Sequence, residues 1–326
     1  MIDIHSVLIA VSFDEKYMQQ IRDIYTPAKI IELNFDDEKG IVEALKSVDV
    51  AFIGGDLDDR YINAPKLQWV HCGHAGLNKF AKKEIFDKGL VVSSSAGRSA
   101  PALAEHIILF MLALSYKISD FIEAQKTHTW GIKGQSNLRA LYGQTIGIIG
   151  MGHTGKELAV RTKAMGMKVI AYSNKEKAPE NVDSYYSAAK EDTLDDILKE
   201  SDFLALCIPL TDKTYHMIST KELKMMKPSS CIINMARGAV IDESVLIKAL
   251  KEGWIAGAGL DTFEQEPLSS KSELWDLPNV YMTPHCTPQV PDRTGRTIEI
   301  LKENVLRYRK GLPLLNQLMI HDIFSR

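Results

Sequence analysis

Three short segments in the last third of the chain carry an arginine, a carboxylate and an imidazole. They are Asn234-Met-Ala-Arg237-Gly238, Asp261-Thr-Phe-Glu-Gln-Glu266-Pro267 and Thr283-Pro-His285. Each follows a short apolar run that reads as a strand: Cys231–Asn234, Ala256–Leu260 and Val280–Thr283. In a parallel sheet the loops at the carboxyl ends of the strands line the ligand crevice, so three successive strand ends aim these groups at one place. A guanidinium is a planar, two-pronged donor for a carboxylate and the carbonyl beside it. Hydride attack on that carbonyl builds negative charge on oxygen, which the same guanidinium stabilises. A proton must also arrive, and an imidazole is its natural donor near neutral pH. A carboxylate on the other ring nitrogen orients the ring and favours its protonated form. The trio therefore suits reduction of a 2-oxo acid, with Arg237 on carboxylate and carbonyl, His285 as proton donor and Glu266 as its partner. Taken singly, each residue has an ordinary reading as a surface arginine, a loop acid or a loop histidine; the shared placement singles them out.

A hydride donor has a place upstream. The stretch GIIGMGHTGKELA contains Gly150-x-Gly152-x-x-Gly155, directly after a strand and directly before a helix, with His153 and Thr154 inside the motif. In that context the first glycine makes the tight turn, the second admits a pyrophosphate and the third lets helix and strand pack closely. The next strand ends at Ala171-Tyr172-Ser173-Asn174-Lys175, with no acid where an NAD-binding unit places one for the ribose hydroxyls. A hydroxyl, an amide and an ammonium at Ser173, Asn174 and Lys175 would accept a 2′-phosphate that a carboxylate would repel. NADP is therefore expected in preference to NAD; the alternative is that Glu176 does the NAD task one turn later.

These groups need a scaffold, and the rest of the chain supplies one. Apolar runs at Val7–Val11, Lys29–Leu33, Asp49–Ile53, Leu67–His71 and Leu90–Ser93 alternate with helical segments. A second series comprises Thr145–Ile149, Lys168–Tyr172, Asp202–Ile208 and the three runs named above. Near-continuous apolar strands between helices predict parallel sheets covered on both faces, here two doubly wound, Rossmann-like α/β units in tandem. Leu103–Tyr116 reads as a long apolar helix after a turn-rich break at Ser93–Pro101. The last helix, near Asp292–Lys310, fits either unit.

Length and composition agree. At 326 residues, 45% hydrophobic and 25% charged, the chain has room for about two globular domains. With 39 basic against 42 acidic side chains, the formal charge of −3 leaves no footprint for nucleic acid or a polybasic membrane patch. The longest apolar stretch, Ile107 to Leu114, falls short of the ~20 residues of a membrane span, and no secretory leader is expected from MIDIHSVLIAV. The four cysteines, at 72, 207, 231 and 286, have no CxxC spacing, so neither a metal site nor a disulfide scaffold is indicated, and a reducing, cytoplasmic compartment is expected.

Together, Ala104-Glu105-His106, GIIGMGHTG, Cys207-Ile-Pro-Leu-Thr-Asp-Lys-Thr214 and the three segments of the trio resemble the D-isomer-specific 2-hydroxyacid dehydrogenases, over essentially the whole chain. The resemblance implies a cofactor domain, 99–289, inserted into a flavodoxin-like substrate domain of 1–98 plus 290–326. It implies that Asp261 and the Ala236 backbone hold the nicotinamide carboxamide and that Cys207 and Pro209 line the adenosine side. In Gly73-His-Ala-Gly76, the N–H groups of Ala75 and Gly76 would take the substrate carboxylate, and the protein would be a homodimer. Thr154 stands where the family has an aliphatic residue, and His74 and Asn78 where small and acidic residues are usual. His74 is expected either to favour a polar or anionic substrate tail or to face solvent. Formate dehydrogenases share the architecture but place glutamine at the position of Glu266. A cofactor-gated binding protein like the C-terminal-binding-protein corepressors is the alternative from another class.

Overall fold

The computed structural model describes residues 2–77, 81–286 and 290–325. They form two compact units, Met1–Ser99 with Gln289–Arg326, and Ala100–Pro288.

In the first unit, strands β1 (Ser6–Ala10), β2 (Lys29–Glu32), β3 (Val50–Ile53), β4 (Trp69–Cys72) and β5 (Val91–Ser94) make one parallel sheet in the order β2-β1-β3-β4-β5. That is the flavodoxin-like order. The strands are apolar throughout because both faces are covered. Leu8, Ala10, Ala51, Ile53, Val70 and Val92 join the core on one face, with Ile41 and Leu45 of helix α2 (Glu38–Leu45). Val7, Ile9, Val50, Phe52 and Trp69 point the other way, into a core with Ile21 of α1 (Glu15–Tyr25) and Ile298, Leu301 and Val305 of the last helix, Arg293–Arg309. Their spacing of three and four residues puts them on one face of that helix, and the Tyr308 ring beyond them stacks on Trp69 at 4.9 Å. The ambiguous final helix thus packs on the first sheet. Helices α3 (Asp59–Ile62) and α4 (Lys83–Asp87) complete this unit's connections.

The second unit opens with α5 (Ala100–Tyr116) and α6 (Ile118–Lys126). Helix α5 begins three residues earlier than its apolar run, because Pro101 lies in the first turn, where a missing N–H costs nothing. Strands β6 (Thr145–Ile149), β7 (Lys168–Ser173), β8 (Ser184–Ser187), β9 (Phe203–Leu206), β10 (Cys231–Asn234), β11 (Gly257–Leu260) and β12 (Val280–Met282) pair in parallel as β8-β7-β6-β9-β10-β11-β12. Helices α7 (His153–Ala164), α8 (Asp195–Glu200), α9 (Thr220–Met225) and α10 (Glu243–Lys251) connect them, and the Arg293–Arg309 helix is α11. Strand β8 escapes the sequence pattern: its residues are Ser-Tyr-Tyr-Ser, and as an edge strand it has no apolar run to show. The chain order reverses between β6 and β9, so the crevice outside their carboxyl ends is the ligand position of this fold. No helix among the described residues is long and apolar enough to cross a membrane.

Candidate active site and dinucleotide site

At the end of β6 the chain turns through Gly150, whose φ of +100° suits glycine alone. A Cβ there would lie 2.5 Å from the Cys207 carbonyl oxygen, and one on Gly155 would lie 2.0 Å from the Gly150 carbonyl oxygen. These two glycines let loop, helix and neighbouring strand close up. Gly152 differs: a Cβ there would meet nothing within 4 Å. The loop is therefore open where backbone must approach a ligand, and Gly152, His153 and Thr154 lead into a helix start that favours anions. The turn fits a dinucleotide pyrophosphate. On the β9 side, Cys207 is half-buried with its thiol pushed up to about 12 by burial, and the Pro209 carbonyl accepts from Thr214 Oγ1 at 2.7 Å, which fixes the loop.

At the end of β7, Ser173 departs from expectation. The residue is buried, and its hydroxyl lies 2.6 Å from Tyr185 Oη and accepts from the Lys175 N–H at 3.2 Å. Tyr185 Oη and Ser187 Oγ both donate to the Lys175 carbonyl. Ser173 thus shapes the turn from inside, while Asn174 and Lys175 are the exposed polar groups there.

The trio comes from the ends of β10, β11 and β12. Asn234 shapes the first loop, accepting from the Ala236 N–H and donating to the Arg237 carbonyl, both at 3.0 Å. Gly238 then presses on the next loop so closely that a Cβ would lie 1.8 Å from the Phe263 carbonyl carbon. Arg237 Nη1 donates to the Ala236 carbonyl at 2.7 Å. Burial holds the guanidinium below its ordinary pKa, and the nearby Glu266 charge works against that. Glu266 accepts the Phe263 N–H on Oε1 at 3.0 Å, while its Oε2 lies 2.7 Å from His285 Nδ1. His285 stands at φ +50°, an uncommon conformation for a residue with a side chain and one that clusters at functional sites. Its Nδ1 bonded to the carboxylate leaves Nε2 for another partner. An open cavity of about 590 Å³ adjoins the pair, lined also by Phe263, Trp275 and Met282.

Beside the trio a hydrogen-bonded chain links two buried residues, Asp261 and His106, through Thr283. Asp261 Oδ1 accepts from Thr283 Oγ1 at 2.6 Å and from the Cys286 N–H at 2.9 Å. Since the Thr283 hydroxyl hydrogen goes to Asp261, His106 Nε2, 3.1 Å from Thr283 Oγ1, is the donor of its pair. His106 stacks on Phe110, and burial lowers its pKa, so the ring fits a neutral donor. Asp261 Oδ2 accepts no hydrogen bond among the described residues, which leaves one oxygen of a buried carboxylate for a ligand amide. The motif Ala104-Glu105-His106 was the only sequence signal for this link.

Ala75 and Gly76 belong to the first unit. Gly76 has φ +87°, and among the described residues neither N–H is hydrogen-bonded, as an anion-binding turn requires. His74 does not face solvent freely: its ring nitrogens lie 3.0 Å from the Ala75 carbonyl and 3.1 Å from the Gly55 carbonyl, so it tethers the loop. Arg98 donates to the Gly73 carbonyl; burial and the nearby Arg293 lower its pKa to about 10. Asn78 lies outside the described residues. Among those residues one group could supply metal donors: His216, Asp242 and Glu264, with atoms within 4.8 Å of one another.

Comparison with known proteins gives this geometry relatives. The family described as D-isomer specific 2-hydroxyacid dehydrogenase, NAD binding domain, matches residues 108–287. A glyoxylate reductase of Thermococcus litoralis is 37% identical over 283 residues, 83% of each chain. An NADPH-dependent glyoxylate/hydroxypyruvate reductase of Sinorhizobium meliloti, solved with NADP and sulfate, is 27% identical with a TM-score of 0.78, covering 96% of this chain and 98% of that one. A D-isomer specific 2-hydroxyacid dehydrogenase of Lactobacillus delbrueckii ssp. bulgaricus, solved with NAD, is 28% identical with a TM-score of 0.72, covering 96% and 99%.

Proposed function

The chain belongs to the D-isomer-specific 2-hydroxyacid dehydrogenases, and from that membership and the site geometry we propose that it reduces a small 2-oxo acid, glyoxylate or hydroxypyruvate first, to the D-2-hydroxy acid with NADPH as the preferred donor. It is an NAD(P)-dependent enzyme acting on 2-oxo and 2-hydroxy acids. The observation that carries the residue assignment is the Glu266–His285 contact of 2.7 Å, made beside a desolvated Arg237.

When bound, the nicotinamide supplies the hydride for the substrate carbonyl. Gly150, Gly152, His153, Thr154 and Gly155 would hold the pyrophosphate, Cys207 and Pro209 the adenosine side, and Ala236 and Asp261 the carboxamide. Asn174 and Lys175 would face the 2′-phosphate, with Ser173 holding their turn from behind. Arg237 has lost water on folding, so an anion against it regains what burial took away; it grips carboxylate and carbonyl oxygen and steadies the charge that develops there. In the first unit, the Ala75 and Gly76 N–H groups are read as open donors for an anion such as a carboxylate. Glu266 holds the His285 ring through Nδ1–H and leaves Nε2 toward the substrate, and the proton that Nε2 carries is the one delivered to the new alkoxide. A homodimer in the cytoplasm fits the exposed Leu109, Ile122 and Trp130 and the four free cysteines.

The test is absorbance at the reduced-nicotinamide band, pairing NADPH and NADH separately with glyoxylate, hydroxypyruvate, pyruvate, phenylpyruvate and oxaloacetate. Turnover strongest with NADPH and the two smallest acids is expected; turnover with NADH alone would remove the cofactor assignment. Lys175→Glu should cut the NADPH-over-NADH ratio in kcat/KM about tenfold, or about 1.4 kcal/mol, and an unchanged ratio would show that Lys175 does not face the phosphate.

A further inference from the structure

The segment that carries Glu266 is gripped at a second point, two residues upstream. Glu264 Oε1 lies 2.7 Å from His216 Nε2 and accepts the Glu243 N–H at 3.2 Å, and the Glu264 N–H donates to Glu243 Oε2 at 3.1 Å. His216 sits after β9, Glu243 opens α10 after β10, and Glu264 follows β11. One imidazole thereby joins three of the strand-end loops around the candidate site. Its conformation is costly: φ is +48°, held by its own N–H donating to the Ala239 carbonyl at 2.8 Å, with the ring stacked on Tyr215 at 3.9 Å. The other ring nitrogen faces Asp242 Oδ2 at 3.8 Å, and Asp242 Oδ1 caps α10 through the Val245 N–H. One ring nitrogen thus meets Glu264 at hydrogen-bond distance, while the other faces Asp242 from beyond it.

Between the two grips there is little slack. Phe263 is pressed on Gly238, its N–H is bonded to Glu266, and Glu264 and Glu266 are separated by Gln265 alone. A shift of the Glu264 side chain must move the Glu266 carboxylate, which has to meet His285 within hydrogen-bond reach. Three carboxylates, Asp242, Glu243 and Glu264, gather around His216; burial raises the Glu243 pKa, the Glu264 N–H bonded to it works against that, and the Glu264 charge adds to it.

We propose that His216 and Glu264 are positioning residues for the reduction, their contact holding the 263–266 segment so that Glu266 meets His285. The inference rests on the function proposed above and adds residues that touch neither substrate nor cofactor. In His216→Phe, which keeps a ring for Tyr215 but offers no donor, kcat with glyoxylate should fall about tenfold, the size of effect that orienting partners have. KM for glyoxylate should stay within about twofold, because Arg237 is untouched, and the alkaline limb of the pH–rate profile should move to lower pH. His216→Gln, which restores a donor toward Glu264, should recover most of kcat. The His285 ring resonance in a ¹H–¹³C spectrum should shift in His216→Phe and return in His216→Gln, and this readout needs no turnover. A lower Tm with unchanged kcat, pH profile and His285 resonance would overturn the proposal, and so would a glutamine variant no better than phenylalanine. Wild-type protein that reduces no 2-oxo acid would instead count against the proposed function, and the His285 resonance would still decide the positioning claim.

Discussion

Two imidazoles near strand ends, one in each unit, have opposite surroundings. His71 on β4 is fully buried, with Ser93 Oγ 2.8 Å from Nδ1 and Ser95 Oγ 3.0 Å from Nε2. Trp69 Nε1 donates to the same Ser93 hydroxyl, so that hydroxyl donates onward to Nδ1 and the ring is neutral, with its proton on Nε2. Burial drives its pKa down to about 3, with a smaller push from His74. His285 has almost half of its side chain exposed, one carboxylate at Nδ1 and a second nitrogen in reserve. The first ring is saturated by hydroxyls and serves the fold. The second has a carboxylate partner on one side only and suits proton delivery. Residue type says nothing about which is which; the number and charge of the partners does.

The largest effect should come from removing the open-sided ring or its neighbour. His285→Ala removes the proposed proton donor and should lower kcat about 10³-fold with little change in stability. Arg237→Ala should fall as far in kcat/KM, mostly through KM. A near-normal kcat/KM in either variant would collapse the distinction between the two rings. Glu266→Gln comes next: the ring keeps a hydrogen-bonding partner but loses its countercharge. A fall of about 10–100-fold is expected, with the alkaline limb of the profile moved to lower pH. An unchanged limb would mean that Glu266 orients the ring without tuning it.

The sequence made the grouping of Arg237, Glu266 and His285 legible because they follow successive strands, and chain order maps onto sheet order there. Gly150, Gly152 and Gly155 were readable for the same reason: a strand–turn–helix is local. The doubly wound fold followed from apolar runs, which alternate faces in the structure as β1 does with Val7 and Leu8. What stayed hidden depends on distant partners. Ser173 turns inward because Tyr185 arrives on β8, a strand with no apolar signature. His106 and Thr283 meet across 177 residues, and His216 meets Glu264 across 48. No periodicity encodes such pairs, since each needs the folded sheet to bring two loops together.

The saturated ring makes its own prediction, in stability rather than rate. A histidine whose pKa is lowered by folding is protonated first in the unfolded chain, so the native state is favoured fully above about pH 6.5 and loses ground as pH falls toward 3. At pH 5 that loss is about 2 kcal/mol from this residue. His71→Gln should be less stable at neutral pH, because two hydroxyls lose fitted partners, yet Tm should decline less steeply between pH 7 and pH 5 than in wild type. Equal slopes would remove His71 from the acid response.

The smallest expected effect tests whether His106, intermediate between these two, belongs with the fold or the site. Like His71 it is buried and fits a neutral ring, but through Thr283 it reaches Asp261, which has an oxygen to offer a ligand. Thr283→Val keeps the shape and removes the hydroxyl. His106 then loses its acceptor, and Asp261 keeps only the Cys286 N–H on Oδ1, for about 1 kcal/mol of stability. If the chain serves the cofactor, KM for NADPH should rise several-fold while kcat holds, because a loosened Asp261 presents its other oxygen less well. If Tm falls and KM for NADPH does not move, His106 belongs beside His71 as a structural imidazole, and the contrast with His285 sharpens to a single ring.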